Sequence, residues 1–167
     1  MRSTVLQSGP DSMAQDPIRP VDTDARALAK QLIAEARFGA LAVVQEGRPS
    51  VTRVAIAMGE DGLPLTLVSD LSAHTKALRA DPHCSILLGE PGEKGDPLTH
   101  PRITLQVRAE FVEKTDVLVS RYLAFQPKAK LYIGFADFHF ARLVPSEAFL
   151  NGGFGKAYHL NPQDLRA

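Results

Sequence analysis

Cysteine is nearly missing: Cys84 is the only one in 167 residues, which removes every intrachain disulfide and every multi-cysteine metal site. A reducing cytoplasm is the compartment this fits. Tryptophan is absent, and 19 basic residues against 19 acidic ones leave no excess of either sign. Nucleic-acid binders gather a basic surplus into a stripe, so no nucleic-acid partner is expected. Long apolar runs are lacking too, since Ala40 to Val44 falls far short of the ~20 residues that cross a bilayer. The N-terminus has no signal-peptide apolar core, so neither export nor a membrane partner is expected. What is present is one ordinary soluble domain, 44% hydrophobic. A chain of this length buries roughly 68–70% of its unfolded surface and needs no structural metal.

Residues 1–21 read as a tail. Met1 to Ser12 has no periodicity, and Val5-Leu6-Gln7-Ser8-Gly9 resembles a viral cysteine-protease cleavage site of the kind placed in expression vectors. Met13 is then the natural start; a native disordered tail is the alternative. The folded domain is expected over 22–160, followed by a C-terminal tail over 161–167.

Within the domain, Asp22, Thr23 and Asp24 offer capping oxygens to a helix whose apolar positions are Ala25, Leu28, Ala29, Leu32, Ile33 and Ala36, with Gly39 as its stop. Strands are expected at Ala40 to Gln45, Val51 to Met58 and Leu65 to Ser69, the last two joined by a Glu60-Asp61-Gly62 hairpin turn. A short helix over Ala73 to Ala80 leads into a strand over His83 to Leu88. Glu90 to Pro101 holds three prolines and two glycines, so it reads as a projecting loop. Ile103 to Glu113 is the longest strand, with Ile103, Leu105, Val107, Ala109 and Phe111 on one face and Thr104, Gln106, Arg108 and Glu110 on the other. Thr115 caps a helix to Phe125, Pro127 opens a further helical segment, and Phe138 to Leu143 and Glu147 to Leu150 read as two final strands. Antiparallel strands with short helices between hairpins give an α+β fold: a six- or seven-stranded antiparallel split β-barrel with short flanking helices.

Arg53 shares a strand face with Val51, Ala55 and Ala57. A planar guanidinium beside small residues can hold a phosphate or a flat ring, and a salt-bridging edge arginine is the alternative. Ser69 to Lys76 joins a strand to a helix N-terminus, where Ser69, Ser72, His74, Thr75 and Lys76 suit a phosphate. Plain N-capping is the other reading. Gly152 to Ala157 lacks Walker spacing and reads as a structural turn. His139, between Phe138 and Phe140, reads as a core or interface histidine. No histidine spacing suggests a metal pair and no serine sits in a nucleophile elbow, so no metal site and no catalytic side chain is assigned.

The order of these motifs resembles the FMN-binding split barrel of the pyridoxamine 5'-phosphate oxidase superfamily, from about Asp24 to Tyr158. Arg53-Val54-Ala55-Ile56, Leu67-Val68-Ser69-Asp70, His74-Thr75-Lys76 and Leu105 to Glu110 carry the likeness. Gly95 to Leu98, Pro101 to Leu105, Tyr132 to Phe138 and Gly152 to Ala157 are similar to its haem-utilisation branch. The resemblance implies a homodimer with FMN in clefts between the subunits. Arg53, with Val54 beside it, would lie near the flavin phosphate, Ser69 at the strand end, His74 and Thr75 at the oxidases' basic pair, and Gln106 near the isoalloxazine. Because His74 and Thr75 replace two basic residues, phosphate charge falls to Lys76 and Arg53. The oxidases' C-terminal substrate motif has no counterpart, so pyridoxamine phosphate oxidase activity is not expected. The leading expectation is an FMN-dependent oxidoreductase acting on an unassigned small molecule, in which the flavin does the redox work. Alternatives are a haem-binding or haem-degrading protein, with His159 reaching across the dimer helped by Asp137, and a non-catalytic flavin-binding module. His159 otherwise reads as an exposed tail residue.

Overall fold

A computed structural model describes residues 17–166. The tag-like segment and Met13 lie outside the described residues. In chain order the elements are β1 (Ile18–Arg19), α1 (Thr23–Glu35), β2 (Phe38–Gln45), β3 (Arg48–Ala55), β4 (Ala57–Met58), β5 (Pro64–Ser69), α2 (Ala73–Ala80), β6 (His83–Leu88), β7 (Arg102–Val112), α3 (Asp116–Phe125), β8 (Phe138–Asn151) and β9 (Ala157–Leu160). Single 3-10 turns occupy Pro97–Thr99, Pro127–Leu131 and Pro162–Leu165.

The expected α+β barrel is present, with nine strands among the described residues rather than six or seven: the two-residue β1 and β4 and the four-residue β9 are too short to show in the pattern, while two expected strands merge into β8. The sheet runs β1-β9-β8-β7-β6-β2-β3, and β5 joins β8 along the stretch that β9 leaves unpaired. Among the described residues only the β1–β9 pair is parallel. No ladder joins β3 to β5, but Thr66 Oγ1 donates to the Ala55 carbonyl across the gap at 2.8 Å, so the sheet curls closed around a split.

Alternation fills the interior. Leu41, Ile86, Leu105, Ala148 and Leu160 form one cross-strand row, every member at 0% exposure. Ala25, Ala29 and Ile33 of α1 and Ala77 and Leu78 of α2 complete this core. A second core lies outside the barrel, where Tyr122, Ala129 and Ile133 cover Leu65 and Phe140.

Several boundaries differ from expectation for local reasons. Helix α1 ends at Glu35, not Gly39: the Arg37 guanidinium donates to the carbonyls of Ala34, Glu35 and Ala36 at 3.2–3.3 Å. Gly39 lies inside β2, where a Cβ would stand 2.7 Å from Leu88 Cδ2. The strand expected over 51–58 breaks at Ile56, whose N–H turns to the Arg37 carbonyl at 2.9 Å. The two expected final strands are one, β8, because a register shift between Gln106 and Val107 leaves Ser146 as the bulged residue and lets the ladder run on through Pro145, which pairs with Val107. The expected tails are ordered in part. Ile18–Arg19 pairs with β9, and Pro162–Leu165 is held to α1 by Arg26 and Asp164 at 2.8 Å.

Candidate functional site

The inner face of the sheet is core; the outer face is covered by α3 over β5 and the start of β8 and is open from β3 across β2, β6 and β7 to β9. Its central row reads Arg53, Ala40, Leu87, Thr104, Phe149 and His159 from β3 to β9. Phe38, Leu87 and Phe149 are large apolar side chains exposed on or beside this row, at 37%, 41% and 38%. Ala40 and Thr104 between them leave shallow depressions on this face, one beside Phe38 and Leu87 and one beside Phe149. The Arg53 guanidinium stands 5.3 Å from the Phe38 ring centroid and has no carboxylate partner among the described residues. At the other end His159 stacks on Phe149, centroids 4.8 Å apart and planes 9° from parallel, with Glu147 Oε2 3.6 Å from its Nε2. His159 is thus a strand residue with a fixed ring, not the tail residue of the alternative reading. The strand that carries it escaped the sequence because Ala157–Leu160 is only four residues long and follows a glycine turn.

Gln106 lies on the same face one step along, in a row with Ser85, Ala42 and Val51. It lines a groove of about 320 Å3 with Val44, Pro49, His83, Cys84 and Ser146. Arg53 and Gln106 are three strands apart, about 14 Å along the sheet. The Cys84 thiol is no nucleophile there: burial pushes its pKa up to about 11.

The segment from β5 into α2 lies at one end of the barrel. Here the expected phosphate residues divide. The Ser69 hydroxyl donates to Asp137 Oδ2 at 2.7 Å, and Asp70 beside it binds His139 Nε2 at 2.7 Å and Arg79 Nη2 at 2.9 Å. Burial lowers the His74 pKa and favours its neutral form. Two expected side chains are withdrawn altogether: Val54, 7% exposed, packs inside the barrel, and Thr75, 0% exposed, turns its hydroxyl into the core without a partner. Strand and helix periodicity put both on the apolar face. Lys76 is exposed and has no carboxylate partner among the described residues. Asp137, expected to help His159, is instead the acceptor of the Ser69 hydroxyl, and the carboxylate beside His159 is Glu147; Asp70 and Phe149 escaped as site residues because each acquires its partner only through strand pairing.

The Asp70 clamp has a pH signature. Its hydrogen bonds to His139 and then Arg79 hold the carboxyl below its ordinary 3.8. A depressed carboxylate contributes stability above its unfolded pKa and loses it as pH falls through the folded one. The stability difference between wild type and Asp70→Asn should therefore shrink as pH falls below 3.8. Urea titrations from pH 7 to pH 2.5 check this; a difference unchanged at low pH would remove the clamp.

The model of the family described as Pyridoxamine 5'-phosphate oxidase matches residues 25–152. The chain is 39% identical over 115 residues to HOZ, a chloroplastic heme oxygenase of Arabidopsis thaliana, covering 68% of this chain and 35% of that one. It is 27% identical over 126 residues to heme oxygenase HutZ of Vibrio cholerae, covering 72% and 71%. The solved heme binding protein from Mycobacterium smegmatis superposes with a TM-score of 0.78 at 29% identity, over 89% of this chain and 61% of that one. This chain therefore spans about a third of the plant relative's length. No helix among the described residues is long and apolar enough to cross a membrane.

Proposed function

The chain belongs to the pyridoxamine 5'-phosphate oxidase family, in its haem-utilisation branch, and on that premise we propose that it binds haem on the outer sheet face, between two copies of itself. The observation that carries this is at the Ser69 end of β5. A flavin phosphate needs the Ser69 hydroxyl as a donor, and that proton already goes to Asp137 at 2.7 Å, with the Asp70 carboxylate next along the chain. A dianion brought there meets two carboxylates, a neutral-leaning His74 and a buried Thr75, with Arg79 already held by Asp70 and Lys76 as the one cation of the segment without a carboxylate partner among the described residues. The face itself suits a flat apolar macrocycle: Phe38, Leu87 and Phe149 offer contact, Ala40 and Thr104 leave room, and His159 presents an imidazole. Bound haem supplies a redox-active iron. His159 would ligate it, with the Glu147 carboxylate close by the ring, and Arg53 or Arg102 would pair with the acidic edge. The outside of a barrel cannot enclose a ligand alone, which supports the homodimer. The names of the relatives point the same way.

FMN is the second reading, favoured by Gln106 in its groove and by the unpaired Arg53 and Lys76. There the flavin would supply electron or hydride transfer to a small molecule. Titrating purified protein with haemin and, separately, with FMN decides between the two. We expect a shifted, saturable Soret band, and FMN held weakly at most. FMN binding with no Soret shift overturns the haem reading; in that case Arg53→Gln should weaken FMN by about 1.5–3 kcal/mol and leave riboflavin unchanged. Adding a reductant in air to the haem complex separates degradation, with loss of the Soret band, from storage.

A further inference from the structure

Away from the sheet face, α1, the β4–β5 turn and α3 enclose a cleft of about 330 Å3, within the range of small-molecule sites. Ile33, Met58 and Leu165 form its apolar floor, and Lys30, Arg121 and Glu60 stand around it. Its walls are tied in place. Gly59 N–H donates to the Leu63 carbonyl at 2.8 Å, and the Arg26–Asp164 pair holds the turn that carries Leu165. Arg121 Nε donates to the Met58 carbonyl at 2.8 Å, which anchors the guanidinium and leaves its outer nitrogens without a partner among the described residues. Lys30 has no carboxylate partner there either. The nearby Asp61 is already engaged, its two oxygens taking the Leu63 N–H at 3.0 Å and Arg142 Nη1 at 2.9 Å. Two cations thus face one unengaged carboxylate, Glu60, over an apolar floor.

We propose that this cleft binds a small amphipathic carboxylate, its apolar body on Ile33, Met58 and Leu165 and its anionic head between Lys30 and Arg121. The geometry matches the general form of ligand sites: apolar walls with a few polar groups that orient the ligand. The site is separate from the haem face, and its occupancy does not depend on haem.

The test titrates sodium octanoate and octylamine into the full chain and follows backbone-amide shifts. Octanoate is expected to move the amides of Ala34, Gly59 and Gly62, to raise the melting temperature as a ligand of the native state must, and to leave the haemin titration unchanged. Octylamine is expected to do none of this. Lys30→Gln should weaken octanoate about tenfold, as loss of a charged hydrogen bond does. Ala34→Phe, at an exposed position of α1, should close the cleft and abolish binding. Arg121→Gln also breaks the Met58 bond, so Lys30→Gln and Ala34→Phe decide. Equal binding of the amine, insensitivity to both variants, or competition with haemin would overturn the proposal.

Discussion

Phe140→Ala should cost about 3–5 kcal/mol of unfolding free energy, among the largest losses a single substitution produces here. Phe140 is 0% exposed and its ring sits 5.3 Å from that of Tyr122, also 0% exposed, at an interplanar angle of 60°. It is the outward member of β8 on which α3 and the 127–131 turn are seated, so truncation leaves a cavity between two layers, not a dent in one. Backbone ladders on both sides of β8 prevent the strand from closing that space. The lost transfer energy and the cavity term therefore add. Urea denaturation measures the effect. A loss under about 1 kcal/mol would mean that α3 is not packed on this face.

His159→Ala should raise the haemin dissociation constant about 100-fold and move the Soret band to that of haem without a protein imidazole. Loss of an outer-shell partner alone costs metal sites about 10–100-fold, so removal of the ligand belongs at or beyond the top of that range. The His159 side chain is 46% exposed, so the fold should survive within about 0.5 kcal/mol. His139→Ala separates the candidate faces. His139 serves Asp70 at the barrel end, and its loss should leave the Soret band in place. An unchanged spectrum in His159→Ala, or a spectrum lost in His139→Ala instead, would move the haem off the sheet face.

Legibility in the sequence followed the range of the interactions. The spans of α2, β6 and α3 are as the pattern predicts, because each depends on contacts within a few residues: Thr115 Oγ1 accepting from Leu118 N–H at 3.3 Å, or the apolar alternation of Ile86 and Leu88. The outward face of β7 was legible too, and with it the position of Gln106. Glycine was misread where its reason is tertiary. Gly39 looks like a helix stop, but it is demanded by the Leu88 and Ile86 side chains of a strand more than 40 residues away.

The sequence by itself determined the fold class, the two periodicities that build the barrel and its plugging helices, and the set of polar residues from which any site must be drawn. Hydrophobic burial is non-directional and repeats along the chain, so it can be read there. Which polar residues meet was decided only by the tertiary structure. The pairing of β5 with β8 brings Asp137 to Ser69 across 68 positions and His139 to Asp70 across 69, and thereby replaces an expected phosphate cradle with carboxylates. The pairing of β8 with β9 sets His159 against Phe149 on an apolar face. Hydrogen bonds and ring stacking are short-ranged and directional, so they exist only once a register has been chosen. Register is a property of two strands, and neither strand's sequence holds it alone.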